Sequence, residues 1–569
     1  MDGSAWYDDL MDDSAQRLRL QRLQLEVLPI RSSLVAGATS TEHVLLRVTA
    51  PRESTGKLPR LTAVLVLDVS GSMQGDPLMQ VKDSVTRLAS ILGDEDGLGV
   101  VAFSTSAHTV SPICLLSRAD ARGEIQRATA LLSADGYTNI SAALSHAALL
   151  FPPRSSDERQ LILLLSDGQP NVGTQTAAGL GAEVELIKGR GVAISTLGFG
   201  SQHNEDLMLA IADAGGGRYA FVKDPLMAAP SFARALGAQR DVTAEDVHLT
   251  LAPGPGVEIT RILGEARTSF GEGGLRVSLS DLLLGEEINV VAELKVKSRR
   301  ETGRWRLLRA TLEARSSAGS REALTLREDL TVELSSSGPG ATDPSVLGVV
   351  VMAQAAELRQ EARRMADQRN FVAAALFLKQ ARDALLAVFG GVPPDGSPLR
   401  DVYETILDDL QVAEKAPPPA EYQVLRKAQL DQQSLQTGFN RAVTLMTPSA
   451  QHMVVKLQNT HGAVPRARLI CVDGNDLGKV INLRAECRIG RGNDNDLVLS
   501  EMGATRRHTL IQWIGRAFVA HDLGSTNGTY VNGRHIVDDC QLKHGDIIAI
   551  GQTRLRFERL DKNDPKSDL

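Results

Sequence analysis

Asp68, Ser70 and Ser72 are the residues of this 569-residue chain whose types and spacing point most directly to chemistry. They stand at alternate positions in Val64-Leu-Val-Leu-Asp68-Val-Ser70-Gly71-Ser72-Met73, where an apolar run ends in a glycine-containing turn. One carboxylate and two hydroxyls on the same side of a loop are hard oxygen donors. The expected ion is therefore Mg²⁺, with Mn²⁺ or Ca²⁺ as alternatives, rather than Zn²⁺. The run before Asp68 suits a parallel strand covered on both faces. Its carboxyl end is where ligands bind in open α/β sheets. Signs of catalysis are few. The eleven histidines form no His-Glu-x-x-His pattern, Ser70 lies in no Gly-x-Ser-x-Gly elbow, and the chain holds neither a P-loop nor the kinase motifs. No catalytic residue is expected, and the chain reads as a binding protein. A metal-activated hydrolase is the less favoured alternative, because no general base accompanies the loop.

Two further segments follow in order, Gly136-Tyr-Thr138-Asn-Ile and Leu164-Leu-Ser166-Asp167-Gly168. With the first loop they resemble the metal-ion-dependent adhesion site (MIDAS) of a von Willebrand factor A (VWA) domain. The resemblance implies that Ser70, Ser72 and Thr138 coordinate the metal directly or nearly so, while Asp68 and Asp167 act largely through water. The sixth position is left for a carboxylate of a protein partner.

A second set of motifs lies near the end of the sequence. Arg488-Ile-Gly490-Arg491-Gly492 leads to Thr505-Arg506-Arg507-His508, then to Asp522-Leu-Gly-Ser525-Thr526-Asn527-Gly528-Thr529 and Leu542-Lys-His-Gly545-Asp546. These blocks are similar to a forkhead-associated (FHA) domain, a β-sandwich that binds phosphothreonine peptides. The resemblance places Arg491 and Thr505 on the phosphate, Arg506 and Thr526 beside it, and Asn527 on the peptide backbone. Gly490 and His508 would be structural. The chemistry agrees: an arginine on a glycine-flanked loop gives a charge-assisted contact to a phosphate oxygen, and a hydroxyl and an amide add oriented hydrogen bonds. Thr505 stands where the family usually has serine, and its extra methyl bears on affinity rather than on fold.

These loops need elements to position them. A chain of 569 residues exceeds one hydrophobic core, and three or four domains are expected. Residues 1–22 read as a flexible acidic N-terminus. Alternating apolar and polar residues in 23–57 and again in 241–334 predict a β-sandwich. Between them, strands alternating with helices over 58–240 predict a doubly wound, mostly parallel sheet carrying the metal loops. Residues 335–344 read as a linker and 345–447 as helical, serving as a spacer or as a docking or dimerising surface. A second linker is expected at 448–465, the FHA sandwich at 466–560 and a tail at 561–569. The fold class is thus multidomain α/β plus all-β: a doubly wound VWA domain, a flanking β-sandwich, a helical segment and a C-terminal FHA β-sandwich.

The formal net charge of -7 is mild for this length, so no nucleic-acid partner is expected. No apolar run is long enough to span a bilayer, and no signal peptide is seen, so no membrane insertion is expected. Cys114, Cys471, Cys487 and Cys540 are too widely spaced for a zinc or disulfide pattern and suit a reducing, cytoplasmic setting. The function expected is a cytoplasmic adaptor that joins a carboxylate-bearing partner to a threonine-phosphorylated one. A self-assembling scaffold is the alternative.

Overall fold

The computed structural model describes residues 22–560, apart from 53–57, 167–168, 200–203, 223–227, 265–266, 272, 280, 318–321, 395–396, 420–421, 423–424, 427–446, 460–466, 484–485, 493–494, 515–516, 524 and 537–539. The segments expected as an acidic N-terminus (1–22) and a tail (561–569) therefore lie outside the described residues, save Arg22. Of the described residues, those within 1–220, 231–357 and 432–453 form one compact unit. Those within 221–230, 358–431 and 454–569 form a second.

The first unit contains a β-sandwich and an α/β layer structure. In one sandwich sheet the order is Gln24–Pro29, Ser40–Thr49, Glu287–Val296, Val257–Leu263. Ser40–Thr49 pairs antiparallel with Glu287–Val296 along its whole length, from Thr49 opposite Glu287 to Ser40 opposite Val296. Two strands far apart in sequence thus close one sheet, and the α/β segment lies between them in the chain. Along Ser40–Thr49 the residues Val44, Leu46 and Val48 enter the sandwich core with Leu249, Leu294 and Leu312. Leu45, on the opposite face, is also buried, among Val346, Val349 and Val350. Alternation alone suggested a half-buried strand; the helix that follows the sandwich covers its second face.

In the α/β part the sheet order is Ala107–Leu115, Gly97–Phe103, Arg60–Asp68, Glu158–Ser166, Val192–Phe199, Gly216–Val222. Arg60–Asp68 pairs in parallel with a strand on each side, and its residues from Leu61 to Asp68 are buried. That position explains why the sequence there is almost wholly apolar. Around the sheet run α1 (Asp76–Ile91), α2 (Ala121–Ala130), α3 (Ile140–Leu149), α4 (Ala177–Gly189), α5 (Glu205–Ala214) and α6 (Ala228–Arg240). The edge strand Ala107–Leu115 is antiparallel to its neighbour and, apart from Ser111, exposed or half-buried, so it carries little hydrophobic signal.

The helical stretch begins with α7 (Pro344–Asp367), α8 (Phe371–Phe389) and α9 (Pro398–Lys415). Asn370 caps α8 by accepting from the Ala373 N–H at 3.1 Å, and Gly390, with φ of 63°, ends it. Ser397 and Pro398 start α9 in the same manner. Two segments expected as linkers are more ordered than their composition suggests. Residues 340–343 are pinned to the sandwich by Gly340 N–H to Ser33 O at 3.0 Å and Asp343 N–H to Ile30 O at 2.9 Å. Most of 448–465 is helix: α10 spans Pro448–Asn459. Thr447 followed by Pro448 is a helix-start signal, a hydroxyl cap before a proline in the first turn, and the Thr447 hydroxyl accepts from the Ala450 N–H at 3.3 Å.

In the C-terminal β-sandwich of the second unit, one sheet has the order Val480–Leu483, Ala467–Asp473, Thr553–Arg559, Ile547–Ile550, Thr529–Val531, Arg534–His535. The other has Leu497–Val498, Glu486–Gly490, Thr509–Ile514, Ala517–Asp522, Cys540–Leu542. Phe518 sits between Trp513 and Phe557, with ring centroids 5.0 and 5.4 Å away, at the centre of the shared core. Among the described residues no helix is long and apolar enough to cross a membrane, and all four cysteines are free.

Candidate metal and phosphopeptide sites

The first two of the loops expected to hold a metal meet at the carboxyl edge of the parallel sheet, and backbone bonds hold them there. Val69 N–H donates to Phe103 O at 2.8 Å, and Met73, fully buried, anchors the 3₁₀ turn Gly71–Met73. The first and second loops are joined twice, by Gly71 N–H to Gly136 O at 3.1 Å and by Asp135 N–H to Val69 O at 2.8 Å. Gly136 has φ of 87° and lies against the Ser104 and Thr105 side chains, a place where a Cβ would be both strained and crowded. Thr138 is 3% exposed. Its N–H donates to Asn171 Oδ1 at 2.8 Å and its carbonyl accepts from the Asn171 N–H at 3.0 Å, which ties the second loop to the segment after the third.

At the centre is the fully buried carboxylate of Asp68. Its Oδ1 accepts from the Ser70 N–H at 2.9 Å and its Oδ2 from the Ser166 hydroxyl at 2.5 Å. Both oxygens are thus oriented by the loop. Ser70 Oγ and Ser72 Oγ stand 3.1 Å apart, Ser70 buried and Ser72 exposed. Two cis ligands of an octahedral ion with metal–oxygen distances near 2.1 Å are about 3 Å apart, so this donor set fits Mg²⁺. Among the described residues no group of three or more His, Cys, Asp or Glu side chains could hold a metal. Asp167 lies outside the described residues. Ser166 and Asn171 bond to the expected site residues Asp68 and Thr138 although motif reading gave them no role; their signal was position, directly beside Asp167 and four residues after it.

In the C-terminal sandwich the expected phosphopeptide residues sit on three adjoining loops. Arg491 N–H donates to Thr505 O at 3.0 Å and Arg491 Nε to Ala504 O at 3.2 Å, which fixes the guanidinium against the second loop. Gly490 permits this approach, since a Cβ there would collide with the Arg506 carbonyl. Asn495 braces the same corner, donating to Gly492 O and Arg506 O, both at 2.6 Å. His508 is fully buried; its Nδ1 accepts from the Thr505 N–H at 3.0 Å, so its Nε2 carries the proton toward Gly528 O at 3.2 Å. Burial pushes its pKa below the ordinary histidine value and keeps the ring neutral. Asp522 shapes the third loop, accepting from Ser525 N–H at 2.9 Å, Ser525 Oγ at 2.5 Å and Thr529 Oγ1 at 2.7 Å.

The loops thus bring Arg491, Arg506, Thr526 and Asn527 to one corner. The Thr505 hydroxyl instead points inward, 3.1 Å from Arg507 O and 3.2 Å from His508 Nδ1. α9 lies against this corner. Asp408 stands between two donors of the loops, with Oδ1 3.8 Å from Arg491 Nη2 and Oδ2 3.5 Å from the Arg506 N–H. Glu404 Oε2 is 3.6 Å from Arg491 Nη1, and Asp401 Oδ1 is 2.5 Å from Arg506 Nη2. Lys415 Nζ donates to Thr526 O at 2.6 Å and to Asn527 Oδ1 at 2.8 Å. Nothing in the motif reading connected the helical region with these loops.

Comparison with known proteins identifies the two domains that carry these loops. Residues 63–234 match the von Willebrand factor type A domain and residues 487–551 the FHA domain. The Synechocystis protein sll0103 is 30% identical over 277 residues, covering 47% of this chain and 64% of its own length. The glycogen accumulation regulator GarA of Mycolicibacterium smegmatis is 43% identical over 79 residues, covering 14% of this chain and 47% of GarA. The chain therefore spans less than two thirds of the length of either relative. A von Willebrand factor type A structure from Catenulispora acidiphila superposes with a TM-score of 0.52 at 18% identity, covering 68% of this chain and 89% of that one, which is a likeness of fold. The chain accordingly carries a VWA α/β domain and a C-terminal FHA β-sandwich.

Proposed function

We propose that this protein is a non-enzymatic adaptor with two ligand-reading sites. The VWA edge takes an acidic side chain of one protein partner through a divalent ion, Mg²⁺ for preference, held by Ser70, Ser72 and Thr138 with Asp68 and Asp167 behind them. The FHA corner takes a threonine-phosphorylated protein on Arg491 and Arg506, with Thr505, Thr526 and Asn527 completing the contact. The observation that carries the reading is the corner between the Arg491 guanidinium and the Arg506 N–H. A cationic guanidinium and a backbone amide converge on a seat that already faces a carboxylate of α9, the arrangement an oxyanion requires. Both domains are interaction modules, and joining them in one chain raises the effective concentration of one client near the other. Free cysteines suit a reducing compartment such as the cytoplasm.

The test uses the full chain. Binding to a degenerate phosphothreonine peptide library should exceed binding to its unphosphorylated twin and vanish in Arg491→Ala; equal binding to both libraries would overturn the phosphothreonine half. Calorimetric titration with Mg²⁺ alone should show binding that Asp68→Ala abolishes, and an unchanged isotherm in that variant would overturn the metal half.

A further inference from the structure

We propose that the acidic face of α9 sits on the phosphate seat of the FHA corner as a surrogate ligand, so that a phosphothreonine partner binds only by displacing the helix. The inference rests on the phosphothreonine reading above and supplies its regulation.

Four residues of α9 touch the corner: Asp401, Glu404, Asp408 and Lys415. Their spacings of three, four and seven residues put them on one helical face. Between them they meet four of the five residues expected to read a phosphopeptide. The carboxylates face Arg491 and Arg506, where a phosphate would sit. The ammonium of Lys415 holds the Thr526 carbonyl and the Asn527 side-chain oxygen, where a peptide backbone would lie.

The helix does not need this acidic face in order to fold. Ile406, Leu410 and Ala413 are buried on the opposite side of it, and Asp409 pairs with Arg359 of α7 at 2.8 Å with both side chains nearly enclosed. The contacts with Arg491 are also of the kind a better anion can replace, whereas Asp401 and Lys415 hold Arg506, Thr526 and Asn527 at hydrogen-bond distance. Glu404 and Asp408 stand 3.6 and 3.8 Å from the Arg491 guanidinium, beyond hydrogen-bond range. A phosphate, with a charge of about -2 and three oxygens on one centre, would approach a guanidinium to roughly 2.8 Å and bind it bidentately. Three carboxylates spread along two helical turns cannot do that at once.

If the closed form outnumbers the open one by about ten to one, the apparent affinity for a phosphopeptide falls by about the same factor. The variant Asp401→Lys/Lys415→Glu, changed at two positions that are not among the buried residues of α9, should open the corner. Glu404→Gln is a second variant that keeps the side chain's shape if the first folds poorly. In the full chain, amide exchange at Arg491, Thr505, Arg506 and Asn527 should speed up in the opened variants. Their affinity for the phosphothreonine library should rise about tenfold, and adding Arg491→Ala should abolish it. Exchange and Arg491-dependent affinity equal to wild type in both variants would overturn the surrogate helix while leaving phosphothreonine binding intact. Faster exchange without preference for the phosphorylated library would instead overturn the phosphothreonine reading, and with it the assignment of the helix as a phosphate surrogate.

Discussion

Asp68 shows how a motif residue depends on neighbours that the motif does not name. A fully buried carboxylate is costly unless its oxygens are hydrogen-bonded. Here the Ser70 N–H and the Ser166 hydroxyl each serve one oxygen and fix the plane of the group. Outer partners of this kind typically govern metal affinity by about ten- to a hundredfold. Ser166→Ala should therefore weaken Mg²⁺ binding by about that factor in a calorimetric titration while Ser70 and Ser72 remain in place; an unchanged dissociation constant would show that Asp68 is held by other groups. The residues expected to face ligands could be named from the sequence because their types are restricted by what they would touch. Ser166, Asn171, Asn495 and Asp522 face other protein groups, and several residue types could serve there. Only the folded arrangement separates Asp522, which organises the Ser525–Thr529 turn, from an ordinary surface aspartate.

Among the elements, α9 gives the sharpest case, because its acidic face and its buried face answer to different demands. Burial beside the FHA loops pushes the Asp408 carboxyl up to about 6 from its ordinary value of 3.8, with Glu404 and Asp409 of its own helix adding to the rise. The Arg491 guanidinium and the Arg506 N–H of the sandwich oppose it, while Arg359 of α7 is committed to Asp409. A raised carboxyl pKa means that the docked helix holds the proton more tightly than a solvated helix does. Docking is therefore strongest below the ordinary carboxyl value, weakens as pH rises through about 6, and is level above it. A difference of about two units corresponds to roughly a hundredfold in the closed-to-open ratio. Exchange at the Arg491 and Arg506 amides, corrected for the intrinsic rate, should accelerate between about pH 4 and pH 6 and level off above, and Asp408→Asn should flatten the profile. A flat wild-type profile would mean that Asp408 does not feel the docking. The helix itself was legible from its apolar spacing, but its role was not, since a face of carboxylates looks the same in a sequence whether it meets water or two arginines. The strand Ala107–Leu115 and helix α10 escaped for the opposite reason: exposure removes the apolar pattern from the first, and the start signal of the second lay at a boundary read as the end of a longer helix.

At the scale of the whole molecule, each compact unit is assembled from separate stretches of chain. The sandwich and the α/β sheet of the first unit were foreshadowed by matched strand character at 23–57 and 241–334, but pairing partners hundreds of residues apart leave no local trace in a sequence. The same holds for the return of the chain to the first unit at the start of α10. Ser449 N–H donates to Asp241 Oδ2 at 2.8 Å and Ser449 Oγ to Asp241 Oδ1 at 2.6 Å, both residues being buried. Gly237 on α6 makes the approach possible, because a Cβ there would strike the Ala450 backbone. Hydrogen bonds to a buried carboxylate contribute about 1.5–3 kcal/mol, and removing the acceptor leaves two donors unsatisfied. Asp241→Ala should accordingly lower the stability of the first unit by about 2–3 kcal/mol. Calorimetric or urea unfolding would then show one transition moved and the other fixed if the two units melt independently. If both transitions shift together, the α10 start is coupled to the folding of the FHA-bearing unit as well, and the chain unfolds as one cooperative body.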